Sequence, residues 1–209
     1  MSKKENSNES CAFKSKVVFF ATGNINKFNE ARSIVSPYGF AVALLRVKGC
    51  EIQSDNLKEI AQTSAINAYK QSKLPVFVED AGLFIYALSG FPGPYAAYVY
   101  KTIRNRGILS LMEDVKDRRA KFQSVIAYCD ETLCEPRCFM GESNGEITLT
   151  ERKQQGKAAF GFDPIFQPAG SSMSFAEMTI EEKNGFSHRA RAIRKFAEWY
   201  EDRRRLTIK

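Results

Sequence analysis

Two adjacent carboxylates, Glu79 and Asp80, follow the apolar run PVFV, and they are the first candidates for catalysis or metal binding. Carboxylates about 4 Å apart repel by roughly 4 kcal/mol at an effective dielectric constant near 20, so a converging pair favours a bound cation or a proton. Such oxygen ligands suit Mg²⁺, which keeps several waters and takes its other ligands from substrate phosphates. Glu51 is a further candidate for the same site. The alternative is a strand that ends in a solvated acidic turn.

A second group of candidates lies in a short turn near the start of the chain. Thr22, Gly23, Asn24 and Lys27 offer a hydroxyl, backbone amides, a side-chain amide and an ammonium within one turn. This combination suits a polyphosphate. The string lacks the G-x-x-x-x-G-K-[ST] pattern, which argues against a kinase or a motor-type NTPase. The alternative is an ordinary Gly-Asn turn.

The segment AFGFDPIFQP (159–168) combines aromatic residues with a rigid bend. Gly161 lies between Phe160 and Phe162 and allows a flat ligand to approach closely, and either ring could stack on a base. Asp163, held by the following proline, could accept a hydrogen bond from a ring N–H. The alternative is that both rings fill a core beneath a loop.

The only histidine of the chain, His188, lies in the basic run FSHRARAIRKF. Ser187 is a plausible N-cap for the last helix, which puts His188 and Arg189 at its first positions. There the helix dipole disfavours a protonated imidazole and favours an anionic or acceptor-rich ligand. A zinc site would need cysteines from a distant hairpin and is disfavoured. We expect the later cations of this helix to form a solvated face rather than a nucleic-acid contact.

The elements that position these residues in the first half of the chain alternate between strand and helix. Apolar runs and helical periodicity predict strands at 17–21 and 41–47, helices from Asn26 and at about 56–72, and a strand VFVED. A strand, a glycine-containing turn and a helix open an α/β unit, and ligands usually lie at the carboxyl edge of such a sheet. We therefore expect Glu79 and Asp80 at the carboxyl end of a strand, and free amides at the first helix for an anion.

The second half of the chain predicts more strands and a final helix. The patterns predict a strand at 83–88, a mainly helical segment at 95–115 interrupted at Gly107, an antiparallel hairpin that begins at 121–128, and a helix at about 187–203. Thr179 and Glu182 fit a capping box.

The composition of the chain limits the classes of protein to which it can belong. The 209 residues are 44% hydrophobic, which indicates a globular chain, and 31 Lys+Arg against 24 Asp+Glu give a net charge of +7 that attracts anions without choosing among them. Five scattered cysteines predict reduced thiols in the cytoplasm. The polar residues 1–15 predict a disordered lead before a single domain at 16–209, and no apolar run indicates a membrane partner.

Taken in order, five segments resemble the inosine triphosphate pyrophosphatase family, whose members hydrolyse non-standard purine triphosphates. They are TGNINKFNE (22–30), CEIQ (50–53), VEDAGLFIYALSGFPGPYAAY (78–98), FGFDPIF (160–166) and AEMTIEEKNGFSHRARA (176–192). The resemblance spans residues 17 to about 200. It implies an elongated α/β fold with a mixed β-sheet flanked by helices, two lobes around a central cleft, dependence on Mg²⁺ with Mn²⁺ as a substitute, and a homodimer.

The resemblance also implies roles for individual residues. It assigns the triphosphate to Thr22, Gly23, Asn24 and Lys27, the metal to Glu51 and Asp80, activation of water to Asp80, and a substrate contact to the backbone at Ala81. It assigns the base pocket to Phe160, Gly161, Phe162, Asp163, Lys183, His188 and Arg189.

Two positions depart from the family pattern. Ala81 stands where a serine is frequent, and Ala97 stands where a basic residue is frequent. Phosphate affinity is therefore expected to depend more on Lys27 and on other cations, with Lys101 and Lys157 as candidates.

The resemblance predicts hydrolysis of ITP, dITP and XTP to the monophosphate and pyrophosphate, with a donor from Arg189 or His188 reading the purine O6. No nucleic acid is required. One alternative is a pyrophosphatase for modified pyrimidine or other nucleotides. The alternative from another class is a basic nucleic-acid-binding module that uses the last helix.

Overall fold

The computed structural model describes residues 16–49, 52–153 and 160–207. Its strands are β1 (Val17–Ala21), β2 (Ala41–Leu45), β3 (Val76–Ile85), β4 (Pro92–Gly93), β5 (Arg119–Cys129), β6 (Arg137–Ile147) and β7 (Phe166–Pro168). Its α-helices are α1 (Ile25–Val35), α2 (Leu57–Ser72), α3 (Ala96–Thr102), α4 (Arg104–Leu111), α5 (Ile180–Phe186) and α6 (His188–Thr207), and short 3₁₀ turns lie at Ser36–Tyr38, Tyr86–Leu88 and Asp163–Ile165.

The described strands form one mixed seven-stranded sheet in the order β2-β1-β3-β5-β6-β7, with β4 added beside β3. β2, β1 and β3 are parallel, and the later pairings are antiparallel. Helices cover both faces, because α1 and α6 pack on one side of β1 and β3 and α2 packs on the other. The predicted α/β fold with a mixed sheet flanked by helices is confirmed.

A gap in the sheet runs along one edge of β3. β1 pairs with β3 only at Val76 and Phe77, and β4 pairs with it only at Leu83 and Phe84. In the described part of the chain, residues 78–82 have no strand partner on that edge. β3 continues past the end of β1, so the sheet itself leaves an opening beside the acidic residues.

The predicted strand end at Glu79 and Asp80 is wrong. β3 pairs with β5 without interruption from Val76–Cys129 to Ile85–Ala120, so the acidic residues lie in the middle of a ten-residue strand. Side chains alternate between the two faces of a strand, and Glu79 therefore points towards α1 and α6 while Asp80 points towards α2. The pair does not converge, and the pairing with β5 carries the strand through residues that look like a turn.

Apolar clusters hold the helices on the sheet. Phe77 stacks on Phe20 with ring centroids 4.4 Å apart and contacts Phe196 of α6 at 4.8 Å. Around the other end of the sheet, Phe122 of β5 contacts Phe166 of β7 at 4.7 Å. β5 contributes to both clusters and so links the two ends of the molecule.

The remaining elements follow the predicted order with small changes. The hairpin β5–β6, the capping box at Thr179–Glu182 and the Ser187 cap, whose Oγ accepts from the Ala190 amide at 3.3 Å, are confirmed. The predicted helix break at Gly107 is wrong: α3 gives way to α4 at Ile103, where Arg104 adopts a φ of 59°. The predicted strand at 83–88 is wrong in part, since β3 ends at Ile85 and a 3₁₀ turn follows.

Residues 1–15, predicted to be a disordered lead, lie outside the described residues. Among the helices that are described, none is both long enough and apolar enough to cross a membrane.

Candidate functional site

A cleft of about 1420 Å³ opens at the gap beside β3. The carboxyl ends of β1 and β2, the start of α6 and the loop before β7 surround it. Most of the predicted site residues line it, namely Thr22, Gly23, Asn24, Lys27, Asp80, Ala81, Phe160, Gly161, Phe162, Asp163, His188 and Arg189. Lys183 lies behind this lining, and Glu51 and Lys157 lie outside the described residues. The fold thus gathers in one cavity residues that are far apart in the sequence.

The turn after β1 caps helix α1 with its own side chains. The Asn24 Oδ1 accepts from the amides of Asn26 at 3.0 Å and Lys27 at 3.3 Å, and the Asn24 amide donates to the Thr22 Oγ1 at 3.1 Å. The amides of Asn26 and Lys27, expected to be free for an anion, are therefore already occupied. The expectation is wrong for these two groups because asparagine is a strong N-cap residue.

Six acidic and basic side chains of alternating sign form a continuous chain along one wall of the cleft, which we call the charge chain, and all of them except Glu30 and Lys183 line the cleft. In order, it runs through Lys27, Glu79, Arg189, Glu30, Lys183 and Asp163. The successive N–O distances are 2.6, 3.1, 2.6, 3.3 and 2.7 Å. The charge chain connects the turn after β1 with the loop at residues 160–163, and its members are held in place by their neighbours.

Electrostatics favour the ionised form of two carboxylates of the charge chain, Glu79 and Glu30, whereas burial raises the pKa of the third, Asp163. Burial opposes ionisation of Glu79, but Arg189 and Lys27 outweigh it and hold the pKa of Glu79 far below its usual value. Burial likewise opposes ionisation of Glu30, and Arg189 and Lys183 lower its pKa. The Ser124 hydroxyl adds a hydrogen bond of 2.7 Å to Glu79. Glu79 is therefore a fixed counter-ion for two cations.

Asp80 lies on the opposite face of β3 from the charge chain. Its side chain is half-buried and lines the cleft on the side of α2. A carboxylate that faces a cleft large enough for a nucleotide is a suitable ligand for Mg²⁺, because this ion needs few protein ligands when phosphates complete its shell. Within the described ranges, no group of three or more His, Cys, Asp and Glu residues is placed to bind a metal.

The loop at residues 160–163 divides its aromatic side chains between core and cleft. Phe162 is 4% exposed and packs edge-on against Tyr100 at 5.4 Å, so its ring belongs mainly to the core. Phe160 is half-buried, and the Arg189 guanidinium lies 6.0 Å from its ring centroid. Gly161 has a φ of 54°. Phe160 is therefore the ring of this loop that is better placed to stack on a base.

His188 is packed as part of the wall. Its ring stacks on Phe122 with centroids 4.7 Å apart and an interplanar angle of 9°, and the residue is 3% exposed. Burial and the neighbouring Arg189 lower its pKa well below the usual value. Its Nδ1 has no hydrogen-bond partner in the described structure. The imidazole is therefore neutral, as the position at a helix start predicts.

Several side chains of the site are not indicated by the sequence analysis. Glu30 pairs with both Arg189 and Lys183 in the charge chain. The sequence feature that could have indicated it is its position one turn after Lys27 on the same helix. Ser124 is placed by the register of β5 against β3 and leaves no local signal. Arg46 and Lys48 also line the cleft, and the sequence feature that could have indicated them is a pair of cations at the end of the strand predicted at 41–47.

The cations at the end of α6 have partners on the protein itself. Arg203 pairs with Asp130 at 2.9 Å, Arg205 with Glu201 at 2.7 Å, and Arg204 donates to the Gly39 carbonyl at 2.8 Å. The expected solvated face thus includes two ion pairs, those of Arg203 and Arg205.

The fold and the site together define a mixed α/β protein with a charged, partly aromatic cleft in the middle of its sheet. A model of the Ham1 family matches residues 18–199, so the chain belongs to the Ham1 family.

Curated relatives and solved structures agree with this membership. A dITP/XTP pyrophosphatase of Methanopyrus kandleri is 49% identical over 185 residues, covering 88% of this chain and 96% of the relative. A dITP/XTP pyrophosphatase of Thermococcus kodakarensis is 48% identical over 183 residues, with coverage of 88% and 96%. The structure of a HAM1 protein from Coxiella burnetii superposes with a TM-score of 0.78 at 28% identity, covering 89% of this chain and 98% of that one.

Proposed function

We propose that the protein hydrolyses non-standard purine nucleoside triphosphates, among them ITP, dITP and XTP, to the monophosphate and pyrophosphate. The names of the relatives support the substrate class, since archaeal proteins 46–49% identical to this chain are dITP/XTP pyrophosphatases. The observation that carries the proposal is the cleft, in which Asp80, the turn after β1 and the Phe160 loop line one cavity. These features match the reacting group, the phosphates and the base of one nucleotide.

The reaction needs one water and releases two anions. The water oxygen attacks the α-phosphorus, the bond from that phosphorus to the bridging oxygen breaks, and pyrophosphate leaves with the electron pair. Asp80 accepts a hydrogen bond from the attacking water and takes its proton. A half-buried carboxylate at the cleft wall is suited to this role of general base. Glu79 is not the base in this scheme, because its lowered pKa and its ion pairs with Lys27 and Arg189 keep it occupied.

We propose Mg²⁺, with Mn²⁺ as a substitute, as the metal of this reaction, with Asp80 and Glu51 as its protein ligands. When bound, the ion would neutralise charge on the phosphate oxygens. The chemistry of Asp80, an oxygen donor facing the cleft, fits a hard cation.

Selection of the purine base follows from the hydrogen-bond donors of Arg189. The Arg189 Nε donates to Glu79 and Nη1 donates to Glu30, and Nη2 has no hydrogen-bond partner within the described residues. An N–H of this kind is matched by the O6 acceptor of hypoxanthine or xanthine and left unpaired by the amino group of adenine. A buried unmatched group costs about 1–3 kcal/mol, which selects against adenine by tenfold to hundredfold per contact.

An assay of pyrophosphate release with ITP, XTP, dITP, GTP and ATP tests the function. We expect hydrolysis of ITP, dITP and XTP in the presence of Mg²⁺ and little hydrolysis of ATP. Asp80→Asn should lower kcat about a thousandfold because it removes a general base. Asp117→Asn is the matched control, since its carboxylate is exposed and pairs with Arg119 away from the cleft. Preference for dUTP or methylated pyrimidine nucleotides would contradict the purine assignment, and full activity of Asp80→Asn would remove this residue from the mechanism.

We also propose a homodimer, which the resemblance implies, and a cytoplasmic location, which the cysteine content predicts. Exposed apolar side chains on α3 and α4, including Tyr98 and Leu111, support a protein contact there, and the described cysteines Cys129, Cys134 and Cys138 are free thiols. Sedimentation at micromolar concentration measures the assembly state directly.

A further inference from the structure

The cleft places four basic residues in its described wall, and they fall into two kinds. Lys27 and Arg189 belong to the charge chain, where Glu79 lies 2.6 Å from the Lys27 Nζ and Glu30 lies 2.6 Å from the Arg189 Nη1. Their charges are thus already compensated inside the protein. Arg46 and Lys48 are exposed, and neither forms an ion pair with any described residue. Among the described residues, they are the basic side chains of the cleft wall that no carboxylate balances.

The sheet fixes where this charge lies. β1 and β2 are parallel, with Ala21 opposite Leu45 at their carboxyl ends. The next residues of the two strands, Thr22 and Arg46, are therefore neighbours on backbones about 4.8 Å apart. Arg46 lies beside the turn that is the candidate for phosphate binding, and its position follows from the strand register.

The segment that carries these cations is attached to α2. The Lys48 amide donates to the Gln71 Oε1 at 3.3 Å, and the Gln71 Nε2 donates to the Lys48 carbonyl at 2.8 Å. Val47 packs against the apolar cluster beneath α2, while Arg46 and Lys48 on either side of it are exposed. The Lys48 backbone is thus bound to α2 and the Val47 side chain packs beneath α2. Arg46 and Lys48 therefore lie together on the exposed side of a fixed segment.

Other described residues of the cleft wall add no positive charge to these four. Ala81 and Ala97 both line the cleft and supply no charge, whereas Lys101, the candidate substitute, does not line it. The turn after β1 has used the amides of Asn26 and Lys27 for its own cap. A triphosphate in this cleft needs positive charge that these elements do not provide.

We propose that Arg46 and Lys48 bind the outer phosphates of the substrate, the pair that leaves as pyrophosphate. The assignment rests on the proposed function. Both side chains are long enough to contact phosphate oxygens beside Thr22, and exposed cations neutralise charge that accumulates on the leaving group. Phe160 and Arg189, the proposed base contacts, lie in the loop before β7 and at the start of α6, so we expect Arg46 and Lys48 to act on the phosphate end.

Product inhibition separates the phosphate end from the nucleoside end. We compare Arg46→Ala, Lys48→Ala and the double variant with Lys70→Ala, which removes an exposed lysine of α2 that does not line the cleft. Each single variant should lower kcat/KM for ITP and weaken inhibition by pyrophosphate about tenfold, the double variant about hundredfold, with inhibition by inosine monophosphate unchanged. Lys70→Ala should match the wild type, and thermal unfolding checks that every variant is folded.

Two outcomes overturn the proposal: pyrophosphate inhibition unchanged in the double variant, or inosine monophosphate inhibition weakened as much as pyrophosphate inhibition. Failure of the proposed function is a different result. It is seen in the wild type, as the absence of ITP, dITP and XTP hydrolysis. Calorimetric titration with pyrophosphate measures the same contacts without any turnover, and it should give an affinity about hundredfold lower for the double variant than for Lys70→Ala.

Discussion

Glu30 is a residue of the charge chain that the sequence analysis does not indicate. It carries the only negative charge between Arg189 and Lys183 in the charge chain, at 2.6 and 3.3 Å from their nitrogens. Without it, two buried cations would face each other. Arg189 would then keep only Glu79 and Lys183 only Asp163, and the two cations would repel each other. Glu30 therefore determines where Arg189 can point, although it does not line the cleft.

The neutral state of His188 gives the protein a pH dependence that one residue controls. In the unfolded chain an imidazole binds a proton near pH 6.5, whereas in the fold its pKa is well below that value because of burial and Arg189. Protonation therefore favours the unfolded state. The stability that this residue permits is fully present above about pH 6.5 and is lost as the pH falls from there towards the lowered pKa.

We expect His188→Gln to remove this part of the pH dependence. The free energy of unfolding in urea, measured at pH 7.5, 6.5 and 5.5, should fall with pH by up to about 1.4 kcal/mol more per unit in the wild type than in the variant below pH 6.5. The comparison is direct because His188 is the only histidine of the chain. Parallel curves for the two proteins would contradict a buried neutral imidazole.

At the scale of elements, helix α6 is placed by its contact with strand β6. A Cβ added at Gly141 of β6 would overlap the His188 carbonyl oxygen and lie 2.5 Å from the Ala192 amide nitrogen. The first turn of α6 can approach the sheet this closely only over a glycine. The contact brings Arg189 within 3.1 Å of Glu79 and so assembles the middle of the charge chain.

Gly141→Ala should therefore destabilise the fold by about 3 kcal/mol and lower the proposed activity, because α6 must move away from β6. Gly185→Ala in α5 is the matched control. A Cβ there has no atom within 4 Å, and alanine in a helix gains up to about 1 kcal/mol over glycine. Urea unfolding and ITP hydrolysis measure both effects. Equal stability of the two variants would show that the helix tolerates a wider separation.

The elements also explain what the sequence can predict and what it cannot. Local sequence patterns correctly predict elements that depend on neighbours in the chain. These are β1, the β5–β6 hairpin, the capping box at Thr179 and the Ser187 cap. The course of β3 depends on β5, which lies some forty residues later, so the acidic pair looked like a strand end. Ser124 and Glu30 reach the site through register and helix packing, and neither process is visible in a local pattern.

At the scale of the whole molecule, net charge and site charge are separate properties. The chain carries +7, whereas the six members of the charge chain balance one another in pairs. The surplus lies on the surface, where it raises the concentration of anions near the protein. Arg46 and Lys48 are the part of this surplus that lies at the cleft. The fold thus combines a neutral, rigid wall with a positively charged entrance.

The predicted single domain with two lobes leads to a test on the whole molecule. β5 contributes Phe122 to the apolar cluster at one end of the sheet and Ile126 and Tyr128 to the cluster at the other. Its pairing with β3 continues without a break through ten residue pairs. Neither cluster can lose its strands while the other remains intact, so we expect both ends to unfold in one cooperative transition.

Tryptophan fluorescence reports on each end separately. The only tryptophan, Trp199, packs 5.4 Å from Tyr128. A Trp199→Phe, Tyr100→Trp double variant moves the probe to the other cluster, where Tyr100 contacts Phe162. In each protein, the urea midpoint from fluorescence should coincide with that from far-ultraviolet circular dichroism, and the calorimetric and van't Hoff enthalpies should agree. A fluorescence midpoint that differs from the circular-dichroism midpoint of the same protein would mean that the lobes unfold independently, since the strands they share would then fail to couple them.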